Sequence, residues 1–95
     1  MRWVLVEAVP DPNSEKLLKY GGAHAACWIA LEDAAKAQAS AVRLLNELNW
    51  QAVKVIENRP ICRSDYADSD PSLKYYEQAV TDKEVCVLYS YPADD

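Results

Sequence analysis

Three strand-like segments of this 95-residue chain are apolar on both of their alternating sides. In residues 3–9, for example, Trp3 and Leu5 fall on one side while Val4 and Val6 fall on the other. A strand with one solvated face alternates apolar and polar residues, whereas a strand covered on both faces is apolar throughout. The chain therefore has to build a sheet of which both faces are covered, either by its own helices or by another molecule.

The pattern along the chain predicts four strands and two helices. Strands are expected over residues 3–9, 23–31, 51–57 and 84–91, where β-branched, aromatic and other apolar residues are frequent. Alanines and leucines at helical spacing predict a helix over 33–49, with Asp33 as its N-cap and Asn49 as a left-handed residue at its end. Asp70 and Pro71 are expected to open a second, shorter helix.

This order of elements predicts an α+β fold with two layers, in which a mixed four-stranded sheet carries both helices on one face. Residues 1–95 are expected to form one domain, because the length suits one core and neither a linker nor a repeat interrupts it. The connector over 11–22 ends at Gly21-Gly22, where we expect a tight turn. If residues 14–20 formed a helix, the N-terminal part would be ferredoxin-like.

The net charge of −5 excludes several classes of function. Proteins that bind nucleic acid or anionic membranes need clustered Lys and Arg, which this sequence lacks. No apolar run reaches the roughly 20 residues of a membrane span, and the apolar start is too short for a secretion signal. The three cysteines have no ligand-like spacing, and we expect them to be reduced. We therefore expect an acidic, cytoplasmic protein.

The polar segment 58–69 contains the most suggestive side chains. A ligand site is expected to include Arg59, Cys62, Arg63, Tyr66 and the single histidine, His24. Two arginines could hold a carboxylate or a phosphate, and cations beside a thiol favour its reactive thiolate form. We therefore expect Cys62 to be alkylated faster than the other two thiols.

The alternative for this segment is that Cys62 lies half-buried at a strand end while the arginines pair with Asp65 or Asp68. His24 with Cys62 or Ser64, and with Asp65, supplies the residue types of a nucleophilic triad, yet no nucleophile-turn motif accompanies them. The aspartates at 65, 68 and 70 lack the central glycine and the distal glutamate of a calcium loop. We therefore assign no catalytic residue and expect neither a metal nor a cofactor.

An interface is expected on the sheet face that the two helices cannot cover. Its candidate residues are Trp3, Trp28, Val87, Tyr89 and Tyr91. A bare apolar patch of roughly 500 Å² exceeds what soluble monomers usually expose, so a two-fold homodimer or another protein partner is expected there. The alternative is that the connector over 11–22 folds across this face.

Three functions remain open at this point. The first is a non-catalytic protein-interaction or oligomerisation module, which the acidic charge, the aromatic strands and the lack of catalytic motifs favour. The second is a binding protein for a small anionic ligand, or a small enzyme, that uses the 58–69 loop. The third is a structural subunit of a symmetric oligomer without a site of its own.

Overall fold

The computed structural model describes residues 1–15 and 19–92. The described residues form a four-stranded sheet and two α-helices, which confirms the predicted α+β class. The strands are β1 (Arg2–Pro10), β2 (Tyr20–Ile29), β3 (Trp50–Pro60) and β4 (Glu84–Pro92), and the helices are α1 (Ala34–Glu47) and α2 (Leu73–Asp82).

The sheet has the strand order β3-β1-β2-β4, and each pairing is antiparallel. The prediction of a mixed sheet was wrong. β1 pairs antiparallel with β2, and it also lies between β2 and β3, so the two strands that α1 connects do not pair with each other in parallel. This direct pairing differs from the split β-α-β unit of a ferredoxin-like fold. Of residues 14–20, on which that expectation depended, 16–18 lie outside the described residues.

The two helices pack on opposite faces of the sheet. The face that carries Val4, Val6 and Cys27 packs against α1 and is called the α1 face. The face that carries Trp3, Trp28 and Val85 packs against α2 and is called the α2 face. The expectation that both helices share one face was wrong, because residues 61–72 lead the chain from β3, at one edge, across the α2 face towards β4, at the other.

The caps of the helices explain where they begin and end. Asp33 caps α1 by accepting a hydrogen bond of 2.9 Å from the backbone N–H of Lys36, and Asn49 has the predicted left-handed backbone with φ 65°. Asp70 instead accepts from the N–H of Ser72, so that α2 begins only at Leu73. Lys83, with φ 76°, ends α2 and leads directly into β4.

Gly21 and Gly22 lie inside β2 and do not form the expected turn. Neither has a positive φ, so their role is not conformational freedom. Gly22 faces Tyr91 on β4, and a Cβ atom at this position would meet the Tyr91 hydroxyl and approach Ala8 O to 3.1 Å. Glycine therefore leaves room for the Tyr91 ring, which lies across the strand at this position.

Two irregularities interrupt β3 at the edge of the sheet. Its pairing with β1 shifts at Ile56 and again at Val53, which leaves both residues without a direct partner and exposed. Each shift has the form of a β-bulge, in which one extra residue bends the strand. As a result Ala52 and Val55 share the α1 face, whereas the uninterrupted sequence pattern predicted opposite faces for them.

Candidate functional site

A cleft of about 310 Å³ opens on the α2 face, between the strands and the segment that follows β3. Trp3 and Trp28 lie on its sheet side, Tyr66 and Asp65 come from the 61–72 segment, and Tyr89 lies at the β4 side. The segment reaches over the strands because Ile61 continues the sheet edge, where its N–H donates to Met1 O at 3.0 Å. The cleft therefore combines aromatic walls with a few polar groups, as small-molecule sites commonly do.

Trp28 anchors the aromatic wall of this cleft. Its side chain is only 3% exposed, and its Nε1–H donates to the Tyr66 hydroxyl at 2.8 Å. The Tyr75 ring of α2 lies 5.1 Å from the Trp28 ring, and Tyr76 lies 5.4 Å from Tyr66. These tilted contacts fix the 61–72 segment and α2 onto one half of the α2 face.

Arg59 provides the cation at the mouth of the cleft. Its guanidinium carbon lies 4.9 Å from the centroid of the Trp3 ring, which is cation–π distance. Its Nε makes a 3.2 Å ion pair with Glu57 on the same strand. Asp65 and Asp70 also line the cleft, so the local charge is mixed.

The structure brings only some of the predicted ligand-site residues together. Arg59 and Tyr66 line the cleft, whereas Arg63 is held away from it. One Arg63 nitrogen donates to Tyr66 O at 3.0 Å and the other to Asp68 at 2.7 Å. Arg63 therefore fixes the loop conformation, in agreement with the alternative interpretation that paired it with an aspartate.

Cys62 is exposed at the start of this loop but is not part of a triad. Its Sγ lies 3.0 Å from Ser64 Oγ, and its backbone N–H donates to Asp65 Oδ2 at 2.8 Å. His24 pairs with Glu7, whereas the end of β3 pairs with Arg2, a separation of five residues or roughly 17 Å along β1. His24 instead has its ring 6.5 Å from that of Tyr91.

The five predicted interface residues all lie on the α2 face, but their surroundings differ. Trp28 is buried under the 61–72 segment, and Trp3 and Val87 are half-buried. Tyr89 is 54% exposed and Tyr91 is also exposed. We call the uncovered half of this face, formed by Leu5, Val87, Tyr89 and Tyr91, the open strip.

The connector ends that the structure describes do not cover the open strip. Asp11 N–H donates to Asn49 O at 2.9 Å, and Tyr20 stacks on Trp50 with ring centroids 5.7 Å apart. Both contacts lie at the end of the sheet where β3 begins, and Trp50 and Tyr20 belong to the α1-face core. The open strip therefore faces solvent within residues 1–15 and 19–92.

One pair of functional interest was missed in the sequence. Cys27 and Cys86 are direct cross-strand partners on the α1 face, with their Sγ atoms 3.5 Å apart. Both cysteines lie in segments that the sequence predicts as strands, but nothing in the sequence fixes the register between β2 and β4. The contact becomes visible only when that register is known.

Comparison of the chain with protein-family models, with curated proteins and with solved structures gave no match. Within the described residues, no helix has the length and apolar character needed to cross a membrane. The same part of the chain has no cluster of three or more His, Cys, Asp or Glu side chains suited to a metal ion.

Proposed function

We propose that this protein is a non-catalytic interaction module that forms a homodimer through the edge of β4 and the adjoining open strip. The observation that carries the proposal is a difference between the two sheet edges. One edge is blocked against further strand pairing, and the other has no strand paired to it within residues 1–15 and 19–92.

The β3 edge has the features that prevent strands from adding to a sheet. Bulges at Val53 and Ile56 interrupt it, and it carries Lys54, Glu57 and Arg59. Bulges and charged side chains are the usual means by which edge strands avoid pairing with other molecules. This edge is therefore unsuited to an interface.

Between Val85 and Tyr91, the β4 edge has neither bulges nor charged side chains. Residues 84–90 pair with β2 in unbroken register, and no charged side chain occurs between Val85 and Pro92. The outer side of such a strand presents backbone N–H and C=O groups that can hydrogen-bond to another strand. The β4 edge is thus open to strand addition.

The open strip enlarges the surface next to this edge. Tyr89 and Tyr91 are exposed beside the half-buried Val87 and Leu5. Tyrosine is enriched at interfaces because its ring buries apolar area while its hydroxyl stays hydrated. A partner strand at the β4 edge would bring side chains onto these rings.

A second copy of this chain can meet the β4 edge without bringing like charges into contact. Two molecules of net charge −5 repel each other, so self-association is easiest through a neutral surface. An antiparallel β4–β4 pair joins two strands that carry no charge from Val85 to Pro92, about a two-fold axis, and places the two Glu84 residues at opposite ends. Each Glu84 is also paired within its own chain, with Arg43 at 2.5 Å.

Sedimentation velocity at about 100 µM tests this proposal, and the expected mass is twice 10.7 kDa. Tyr89→Lys is expected to give a monomer because each copy then places a charge in the pairing zone. The matched control is Ile56→Lys on the β3 edge, where the side chain is 45% exposed against 54% for Tyr89. A wild-type monomer, or equal dissociation by both substitutions, would contradict the proposal.

A second candidate function is the binding of a small anion in the cleft, which the position of Arg59 over Trp3 favours. We expect a carboxylate or phosphate ligand to raise the melting temperature, and Arg59→Met to abolish that rise. Arg63→Ala serves as the matched control, because Arg63 is directed at Asp68 and not at the cleft. A rise that survives Arg59→Met would contradict this assignment.

The cytoplasm is the location that we propose for the protein. Its three thiols are free, and one of them, Cys62, is exposed. Exposed free thiols persist in reducing compartments and become oxidised outside them. Detection of the chain in a soluble cytoplasmic fraction would test this location.

A further inference from the structure

Cys27 on β2 and Cys86 on β4 have the geometry of a disulfide pair that has not yet formed. They are direct partners in an antiparallel ladder, in which opposite Cα atoms lie roughly 4.5–5.5 Å apart. Disulfides span Cα separations of about 4.4–6.8 Å, so the backbone already fits. The Sγ atoms, at 3.5 Å, need to approach by only about 1.5 Å, which side-chain rotation can supply.

We propose that Cys27 and Cys86 form a redox-active pair that hydrogen peroxide converts into a cross-strand disulfide. The Cys86 thiolate attacks a peroxide oxygen, the O–O bond breaks, and hydroxide leaves. The Cys27 sulfur then attacks the sulfenic acid on Cys86, the S–S bond forms, and the oxygen leaves as water with the Cys27 proton. Two thiols lose two electrons, and the peroxide is reduced to two waters.

The surroundings of the two thiols assign these roles. Cys27 is fully buried, whereas Cys86 is half-buried and therefore more accessible to an oxidant. The Cys27 S–H donates to Cys86 Sγ, and this hydrogen bond lowers the pKa of Cys86 while burial opposes it. The same hydrogen bond and burial raise the pKa of Cys27, which keeps it protonated until Cys86 has reacted.

The disulfide would connect the outer strand of the sheet to its only neighbour among the described residues. β4 pairs with β2 alone, and the bond would close a loop of roughly 60 residues. Cross-links that close long loops restrict the unfolded chain most strongly. Oxidation is therefore expected to fix β4 in place, and this inference does not depend on the proposed dimer.

The experiment uses a Cys62→Ser background, which removes the exposed thiol. After treatment with dilute hydrogen peroxide, the intact mass is expected to fall by about 2 Da, and a non-reducing peptide map should join residues 27 and 86. The melting temperature is expected to rise by about 10 °C or more and to return after reduction by dithiothreitol.

Two further variants in the same background each retain one of the two thiols. Their readout is the chemical modification of that thiol, so the test does not rest on a change in stability. With Cys27→Ser, Cys86 is expected to form a sulfenic acid that dimedone traps, with no 2 Da loss. With Cys86→Ser, the buried Cys27 should stay unmodified. Persistence of both thiols in the Cys62→Ser protein, or their over-oxidation without a linked peptide, would overturn the proposal.

Discussion

The two faces of the sheet are both apolar, but the chain closes them by different means. A single helix, α1, closes the α1 face, because Ala37 and Ala41 let it approach the strands and Leu45 fills the remaining gap. On the α2 face, Ala79 of α2 and the aromatic residues around Trp28 close one half, and no part of the chain that the structure describes covers the open strip. Which part of each sheet face is covered therefore depends on where the connecting segments run and not on the number of helices.

The largest effect is expected on the closed α1 face. Leu45→Ala removes a fully buried side chain, and we expect it to lower the free energy of unfolding by about 2–5 kcal/mol. Leu48→Ala, at the exposed end of the same helix, is the control and should cost less than about 1 kcal/mol. Urea unfolding measures both, and equal losses would show that the α1 face is not closed as described.

Removing one hydroxyl group from the closed half of the α2 face should lower the free energy of unfolding. Tyr66→Phe leaves the buried Nε1–H of Trp28 without its acceptor, which should reduce the free energy of unfolding by about 1–3 kcal/mol. Tyr75→Phe, beside the same indole ring, should change it little. Chemical denaturation of the two variants provides the comparison, and the reverse order of stability would count against this contact.

A smaller effect is expected at the boundary between β2 and the open strip. Gly22→Ala places a methyl group against the Tyr91 ring, and because this ring is exposed and can rotate away we expect a loss of only about 1 kcal/mol. In a Tyr91→Ala background, the same substitution should cost less. A penalty that stays constant in this double-mutant cycle would assign it to the Ala8 carbonyl instead.

The smallest effect on folding is expected within the open strip itself. Tyr89→Ser should change the stability of the monomer by less than about 0.5 kcal/mol, because its side chain is already exposed. Val85→Ala, on the same strand and face but under α2, should cost about 1–3 kcal/mol. Thermal unfolding at submicromolar concentration isolates this monomer property, and a large loss in Tyr89→Ser would mean that the strip is covered.

Much of this fold could be predicted from the sequence, because regular alternation and helical spacing reflect local geometry. The faces of β1 and β4 were predicted correctly, as were the Asp33 cap and the left-handed Asn49. The strand β3 was not, since bulges at Val53 and Ile56 change the alternation without any Gly or Pro to mark them.

The remaining differences arise from tertiary contacts that one segment cannot reveal. The packing of α2 on the α2 face depends on the path of residues 61–72, which no local pattern reveals. The helix makes its close approach through the buried Ala79, whereas the larger Val80 beside it is exposed. Arg59 and Tyr66 line the cleft, whereas His24 lies elsewhere, at a position that the β1–β2 register determines. The contact between Cys27 and Cys86 could not be predicted for a similar reason, because it depends on the register between β2 and β4.

The strand order also has a consequence for biosynthesis. β2 receives its outer neighbour, β4, from about 55 residues further along the chain, as the pairing of Ile29 with Glu84 shows. At a ribosomal rate of roughly 5–20 residues per second, this delay is on the order of 3–10 seconds. During that time the side of the nascent β2 that later pairs with β4 has no partner strand.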